Sequence, residues 1–211
     1  MELYTKLDKG KVVMDFVKIM NEKANEPSDI NEHLHKLYEY ALRSDSVVEL
    51  GTRWLLSTYS FLAAEPSRLW SVDIERPESN RWGDSANHDF ENVLEAANDQ
   101  GIDYKFILGD SRTAEIDAKE VDLLFVDTQH TYDVVKAELS HWGHKIKKFI
   151  IFHDTVLYGY EGHGGGGTKV PGQGINRAIS EFRAENTKWV EAERFFNNNG
   201  LLILKNSEQV V

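Results

Sequence analysis

Five acids in this chain stand where acids can act together. Glu49, Asp73, Asp110, Asp127 and Asp154 each lie in or just past a short apolar run: Val47-Val48, Leu69–Val72, Tyr104–Leu108, Val121–Val126 and Phe149–Phe152. Runs of this length, bounded by polar turns, suit buried strands better than helices. One acid at a strand end is explained by chance or by a helix cap. Five at the same edge of one parallel sheet make a polar rim, and open α/β sheets bind ligands at that edge.

The elements that must position these acids are also visible. Ser46–Leu62 reads as strand, tight turn at Gly51, then a helix carrying Trp54, Leu55, Leu56, Tyr59, Phe61 and Leu62. Such a unit presents free helix N–H groups to a ligand, although any α/β protein contains turns of this kind. Upstream, residues 11–43 read as two helices, with stripes through Val12, Val13, Phe16, Ile19 and Met20 and then Ile30, Leu34, Leu37 and Leu42. His33 and His35, two positions apart on the second, point different ways and read as surface residues. Downstream, Pro77–Gly83 is a loop, and helices are expected around Phe90–Ala97, Tyr132–Trp142 and Ile175–Phe182. Tyr158–Gly174 carries four consecutive glycines; such a backbone is costly to order, so a mobile flap over Gly162–Gly172 is expected. Trp189–Phe196 and Leu201–Leu204, joined by three asparagines and Gly200, read as an antiparallel hairpin. The whole is an α/β fold, a doubly wound and mainly parallel sheet with an antiparallel C-terminal hairpin strand.

Composition narrows the partners. The 211 residues suffice for one domain with a full core, and 41% hydrophobic with 28% charged content is that of a globular chain. No apolar run approaches the length of a membrane span and the first residues lack a signal-peptide core, so a cytoplasmic protein without membrane contact is expected. A net charge of −11 argues against nucleic acid, whose binding rests on neutralising phosphates. The one basic cluster, His144–Lys148, reads as cations at the carboxyl end of a helix. With no cysteine, disulfides and thiolate metal sites are excluded. The sequence is compatible with a homo-oligomer and does not demand one.

Asp73 narrows the ligand. An acid at the end of the second strand can accept two hydrogen bonds from a ribose diol. The first turn lacks both the G-x-G-x-x-G of dinucleotide enzymes and the lysine of a phosphate-binding loop. A ribose site without a phosphate cradle suits an adenosyl ligand without phosphate, and S-adenosylmethionine fits.

VVELGTRWLLSTYSFL, SVDIE, ILGDS, VDLLFVDTQHTY and FIIFHDT, in this order and spacing, resemble the class I S-adenosylmethionine-dependent methyltransferases. The subgroup most similar holds cephalosporin-hydroxylase-like proteins and macrolide-sugar O-methyltransferases, and the resemblance covers residues 46–205. It implies a Rossmann-like, seven-stranded catalytic domain over 46–211, with residues 1–45 as N-terminal helices packed on it. It implies that Glu49, Gly51 and Thr52 line the methionine end of the cofactor and that Ser57 and Thr58 sit at the start of the next helix. Asp73 would take the ribose, Asp110 and Ser111 the adenine. Asp127 would touch both cofactor and reaction centre, with His130 accepting the proton of the attacking hydroxyl. Asp127 and Asp154 would hold a divalent cation; without thiolates, oxygen ligands favour magnesium or manganese. His153 has two open readings, a third metal ligand or a hydrogen-bonding residue inside the sheet edge. Leu55 and Thr128 stand where such proteins usually carry glycine, and Leu55 is expected to narrow the cofactor site unless the helix begins a turn earlier. The activity implied is methyl transfer to a hydroxyl of a sugar or other small molecule; the alternative is a non-catalytic binding or assembly module that kept the sheet.

Overall fold

The computed structural model describes residues 4–6, 12–77 and 89–209. Two short strands, β1 (Tyr4–Lys6) and β2 (Val12–Met14), pair antiparallel. The helix expected over Val12 and Val13 is therefore a strand, which suits adjacent β-branched residues. Asp15 fixes the boundary by accepting from Lys18 N–H at 2.9 Å, so α1 (Phe16–Ala24) starts only after it. A single 3₁₀ turn then leads into α2 (Leu34–Ala41).

From here strands and helices alternate: β3 (Ser46–Leu50), α3 (Leu56–Ala63), β4 (Arg68–Asp73), α4 (Phe90–Asp99), β5 (Asp103–Leu108), β6 (Val121–Val126), α5 (Tyr132–Trp142) and β7 (Ile146–His153). Of the loop expected at Pro77–Gly83, residues 78–83 lie outside the described part. Lys147 and Lys148 lie inside β7, not at the end of α5, and Lys148 pairs with Asp122 at 2.9 Å. The glycine-rich stretch forms a two-stranded hairpin, β8 (Glu161–His163) with β9 (Lys169–Pro171). Its backbone reaches positive φ at Gly166 and Gly167, which glycine adopts freely. Two main-chain bonds, His163 N–H to His130 O and Tyr132 N–H to Gln173 O, pin it onto the segment before α5. The last elements are α6 (Ile175–Glu185), β10 (Trp189–Phe195) and β11 (Leu201–Asn206).

The main sheet has seven strands in the order β10-β11-β7-β6-β3-β4-β5. β3 to β7 are parallel, and β11 is antiparallel to both its neighbours. Alternation along each strand sorts side chains to two faces. Val47, Leu69, Phe125 and Ile151 meet α1 to α4 on one face, while Val48, Trp70, Leu124 and Ile150 meet α5 and α6 on the other. Phe125 is fully buried and packs edge-on against Phe61 at 5.5 Å, so its truncation to alanine would cost about 3–5 kcal/mol. This double layer holds the carboxyl ends of β3 to β7 in one row. Among the described residues no helix is long and apolar enough to cross a membrane.

Candidate active site

The turn after β3 is built around contacts that tolerate no side chain. Gly51 has φ +88°, and a Cβ there would stand 2.1 Å from the Asp127 carbonyl oxygen. The following turn is closed by Asp73, whose Oδ2 accepts from Thr52 N–H at 2.9 Å, Thr52 Oγ1 at 3.1 Å and Arg53 N–H at 3.1 Å. Leu55 takes φ +66°, the conformation a glycine would favour, at a cost of about 1–2 kcal/mol. Its side chain is fully buried in the core and does not line the cavity, so the expected narrowing does not occur.

At the ends of β6 and β7, two carboxylates and two imidazoles meet. His130 Nε2 lies 3.1 Å from Asp127 Oδ1 and 2.8 Å from Asp154 Oδ2. His153 Nδ1 lies 3.3 Å and 3.5 Å from the same two oxygens, and its Nε2 is 3.1 Å from Asn198 O. Burial by itself would raise both carboxyl groups; the charge of His153 and the His130 hydrogen bond take Asp127 below its ordinary value, and hydrogen bonds from both imidazoles lower Asp154. Conversely, burial would lower His130, but hydrogen bonds to Asp127 and Asp154 raise it to about 9. His153, also opposed by burial, is raised by the charge of Asp127. Among the described residues, His130 Nδ1 and Asp154 Oδ1 are buried without a hydrogen-bond partner. Asp154 holds φ +59°, a strained conformation outside glycine that aims its carboxylate at His130.

Two other buried acids face hydroxyls only. Glu49 receives Ser57 at 2.5 Å, Thr58 at 2.8 Å and Ser71 at 2.6 Å, and burial pushes it up to about 7 against those three bonds. Glu138 on α5 receives Ser111 at 2.5 Å and Thr128 at 2.6 Å and is likewise pushed up by burial to about 7.

A cavity of about 420 Å³, the size of a small-ligand site, runs along the strand ends. Of the residues singled out in the sequence, Gly51, Thr52, Ser57, Asp73, Asp110, Ser111, Asp127 and His130 line it. Glu49 and Thr58 do not: pleating turns Glu49 toward α3, where it clasps Thr58, so neither faces a ligand. His153 and Asp154 stand behind the lining, only 1% and 5% exposed. Asp110 is engaged by Arg112 in a fork of bonds of 2.6–3.1 Å, which lowers its carboxyl to about 2. The structure adds residues that sequence reading favoured as surface or capping positions. His163, from the glycine hairpin, lines the cavity and stacks on Tyr158 at 5.0 Å, and Tyr158 stacks on His130 at 4.9 Å. His33, expected on the surface, is 1% exposed and lies edge-on to His153 at 5.8 Å. Asp29, before α2, reaches the cavity and bridges Arg53 at 2.9 Å.

Comparison with known proteins places this arrangement. The family model described as "Methyltransferase domain" matches residues 48–155, which run from the glycine turn to just past Asp154. The chain belongs to the methyltransferase-domain family. Among curated relatives, an uncharacterized protein from Sinorhizobium fredii, y4gI, is 30% identical over 130 residues. That match takes in 56% of this chain but only 14% of the relative's own length. Among solved structures, the 1,6-didemethyltoxoflavin-N1-methyltransferase of Burkholderia thailandensis, with bound 1,6-didemethyltoxoflavin and S-adenosylhomocysteine, superimposes with a TM-score of 0.60. It shares 9% identity, over 97% of this domain and 99% of that chain. A methyltransferase from Podospora anserina with bound S-adenosylhomocysteine gives a TM-score of 0.51 at 12% identity, over 90% of this domain and 86% of its own chain. At such identities the likeness is one of fold: this methyltransferase domain carries the Rossmann-like class I sheet.

Proposed function

We propose that this domain transfers a methyl group from S-adenosylmethionine to a hydroxyl of a sugar or another small polyol, with His130 as the base. One observation carries the reading. His130 shares its Nε2 with two carboxylates while its Nδ1 is buried, unpartnered and carried by a residue that lines the cavity. Acceptors on Nε2 keep a proton on that nitrogen and leave the Nδ1 lone pair for an incoming hydroxyl.

The remaining residues fit an adenosyl ligand. The Gly51–Thr52 turn lets a ligand approach the backbone, Asp73 Oδ1 accepts, among the described residues, only from Glu75 N–H in the turn, and Ser111 lines the same cavity. S-adenosylmethionine, when bound, supplies a methyl already made electrophilic by its sulfonium. The protein then has to align the acceptor hydroxyl and receive its proton, and ordering alone contributes several kcal/mol to such reactions. After transfer the proton resides on His130 Nδ1, and Asp127 and Asp154 stabilise the imidazolium.

Asp127, His153 and Asp154 each offer one ligand atom, all within 4.8 Å of one another, and Asp154 Oδ1 has its hydrogen-bonding capacity free. Two carboxylate oxygens and one imidazole suit magnesium or manganese, and such an ion would lower the pKa of the acceptor hydroxyl. Activity that survives exhaustive chelation unchanged would remove the ion from this scheme.

The reading is tested by titration calorimetry with S-adenosylmethionine, followed by mass spectrometry of a panel of sugars and polyols incubated with isotope-labelled cofactor. A labelled methyl on a hydroxyl is the expected product. No heat at millimolar cofactor would overturn the reading in favour of a binding or assembly module. A Leu55 side chain blocking the cofactor site would favour such a module, but it is buried away from the cavity.

A further inference from the structure

One buried charge at the site has no part in the scheme above. Glu138 sits on the apolar stripe of α5 beside Val135, Leu139 and Trp142, and its side chain has no contact with solvent. Its Oε1 takes two short hydrogen bonds, from Ser111 Oγ and Thr128 Oγ1, while its Oε2 is buried without a partner among the described residues. Trp142, one turn further along α5, donates from Nε1 to the Ser111 carbonyl at 2.7 Å and fixes that residue's main chain. Ser111 and Thr128 both line the cavity.

Hydroxyl groups ordinarily donate or accept as a ligand requires. Above about pH 7 Glu138 is an ionised carboxylate, which can only accept, and it takes both protons. The two hydroxyl oxygens are then left with lone pairs alone to offer the cavity. The nearby carboxylate that could also accept, Asp110, is engaged by Arg112.

Resting on the reading of this cavity as a nucleoside cofactor site, we propose that Glu138 is a specificity-determining positioning residue. By holding the hydroxyl protons of Ser111 and Thr128, it makes this end of the site accept hydrogen bonds. The site thereby selects a base with an exocyclic amino group, as in adenine, over one with a keto oxygen at the same place. A keto oxygen would face acceptors that cannot turn their protons toward it, and mismatched buried polar groups discriminate strongly.

The experiment is calorimetric titration at pH 8.5 with S-adenosylhomocysteine and with S-inosylhomocysteine, its 6-keto counterpart. Wild-type protein is expected to bind the amino form about 100-fold or more tightly. Glu138→Leu frees both hydroxyls to rotate, and the ratio is expected to fall at least about tenfold. Glu138→Gln keeps one acceptor oxygen and should keep the ratio. If Glu138→Leu does not fold, Ser111→Ala combined with Thr128→Val removes the hydroxyls themselves and should collapse the ratio equally. An unchanged ratio in a folded Glu138→Leu or in the double variant overturns the proposal, as does its loss in Glu138→Gln. Equal binding of both compounds by the wild type overturns this inference alone. No binding of either overturns the cofactor reading with it.

Discussion

Glu49 and Asp127 belong to neighbouring parallel strands, one in β3 and the other directly after β6; folding buries Glu49 fully and leaves Asp127 partly exposed at the cavity wall. Glu49 meets three hydroxyls and is pushed up to about 7 by burial, which those neutral donors only partly offset. Asp127 meets two imidazoles, and their charge and hydrogen bonds carry it below its ordinary value against the same burial effect. The difference lies in the partner, since a hydroxyl contributes a dipole where an imidazolium contributes a charge. The glutamate is thereby a clasp between β3, β4 and α3, whereas the aspartate keeps a charge available beside the cavity.

The contrast breaks first if His130 is not the reactive member of the second group. His130→Gln should lower the methyl-transfer rate by about 10²–10⁴-fold while cofactor affinity stays within about threefold. In wild-type protein the rate should rise with pH and level off near pH 9, as the imidazolium gives up its proton. Steady-state assays with the best acceptor from the panel read both, and a variant within tenfold of the parent would make His130 a bystander.

The clasp is tested by Glu49→Leu, which leaves Ser57, Thr58 and Ser71 with no acceptor in a dry site. Unfolding in urea should show a loss of about 3–5 kcal/mol. Full stability would mean that the three hydroxyls find other partners.

Next comes the pH dependence of stability. An acid whose folded pKa is raised binds more protons folded than unfolded, so its contribution is largest below its unfolded value and fades as pH rises. Glu49 and Glu138, both raised from 4.5 to about 7, should together lower stability across that interval, by about 3 kcal/mol for each fully buried group. His130, raised from 6.5 to about 9, contributes fully below 6.5 and loses its contribution through 9. Asp127 and Asp154 are lowered, so their contribution holds above 3.8 and disappears only as pH falls below it. Stability should therefore peak near about pH 5, and a peak at pH 8 in urea unfolding would contradict the assignments of the two glutamates and of His130. The smallest effect is that of Glu49→Gln, which should cost under about 1 kcal/mol at pH 7 while flattening the slope between pH 4.5 and 7.

Much of this was legible in the residues. Short apolar runs closed by acids located the carboxyl ends of β3 to β7, because a buried parallel strand has to be apolar on both faces. The row of acids likewise located the cavity. Strand alternation, applied strictly, would have turned Glu49 away from it, since Val48 and Leu50 share the opposite face. Glu138 carried a readable signal too: an acid at i+3 from Val135 interrupts an otherwise apolar helix stripe. His33 carried none, and His163 only its place in the glycine-rich loop. Their positions depend on pairings across the whole chain, such as His33 Nε2 with Asn197 O at 3.1 Å and the hairpin that presents His163. Val12 and Val13 misled because apolar residues three and four apart fit a helix stripe, while the Asp15 cap was the stronger local instruction.

β11 enters the sheet between β7 and β10, and the turn before it gives His153 its acceptor at Asn198 O. During synthesis, then, the growing chain can complete the turn at Gly51 long before His153 meets its acceptor. A nascent chain that has exposed residues only as far as Phe195 would have β3 to β7 in place, with β7 as an open edge and His153 Nε2 unanswered. Such an edge invites pairing with other strands. A chain ended after Phe195 is accordingly expected to associate in size-exclusion chromatography, and a monodisperse monomer would show that the sheet closes without its last strand.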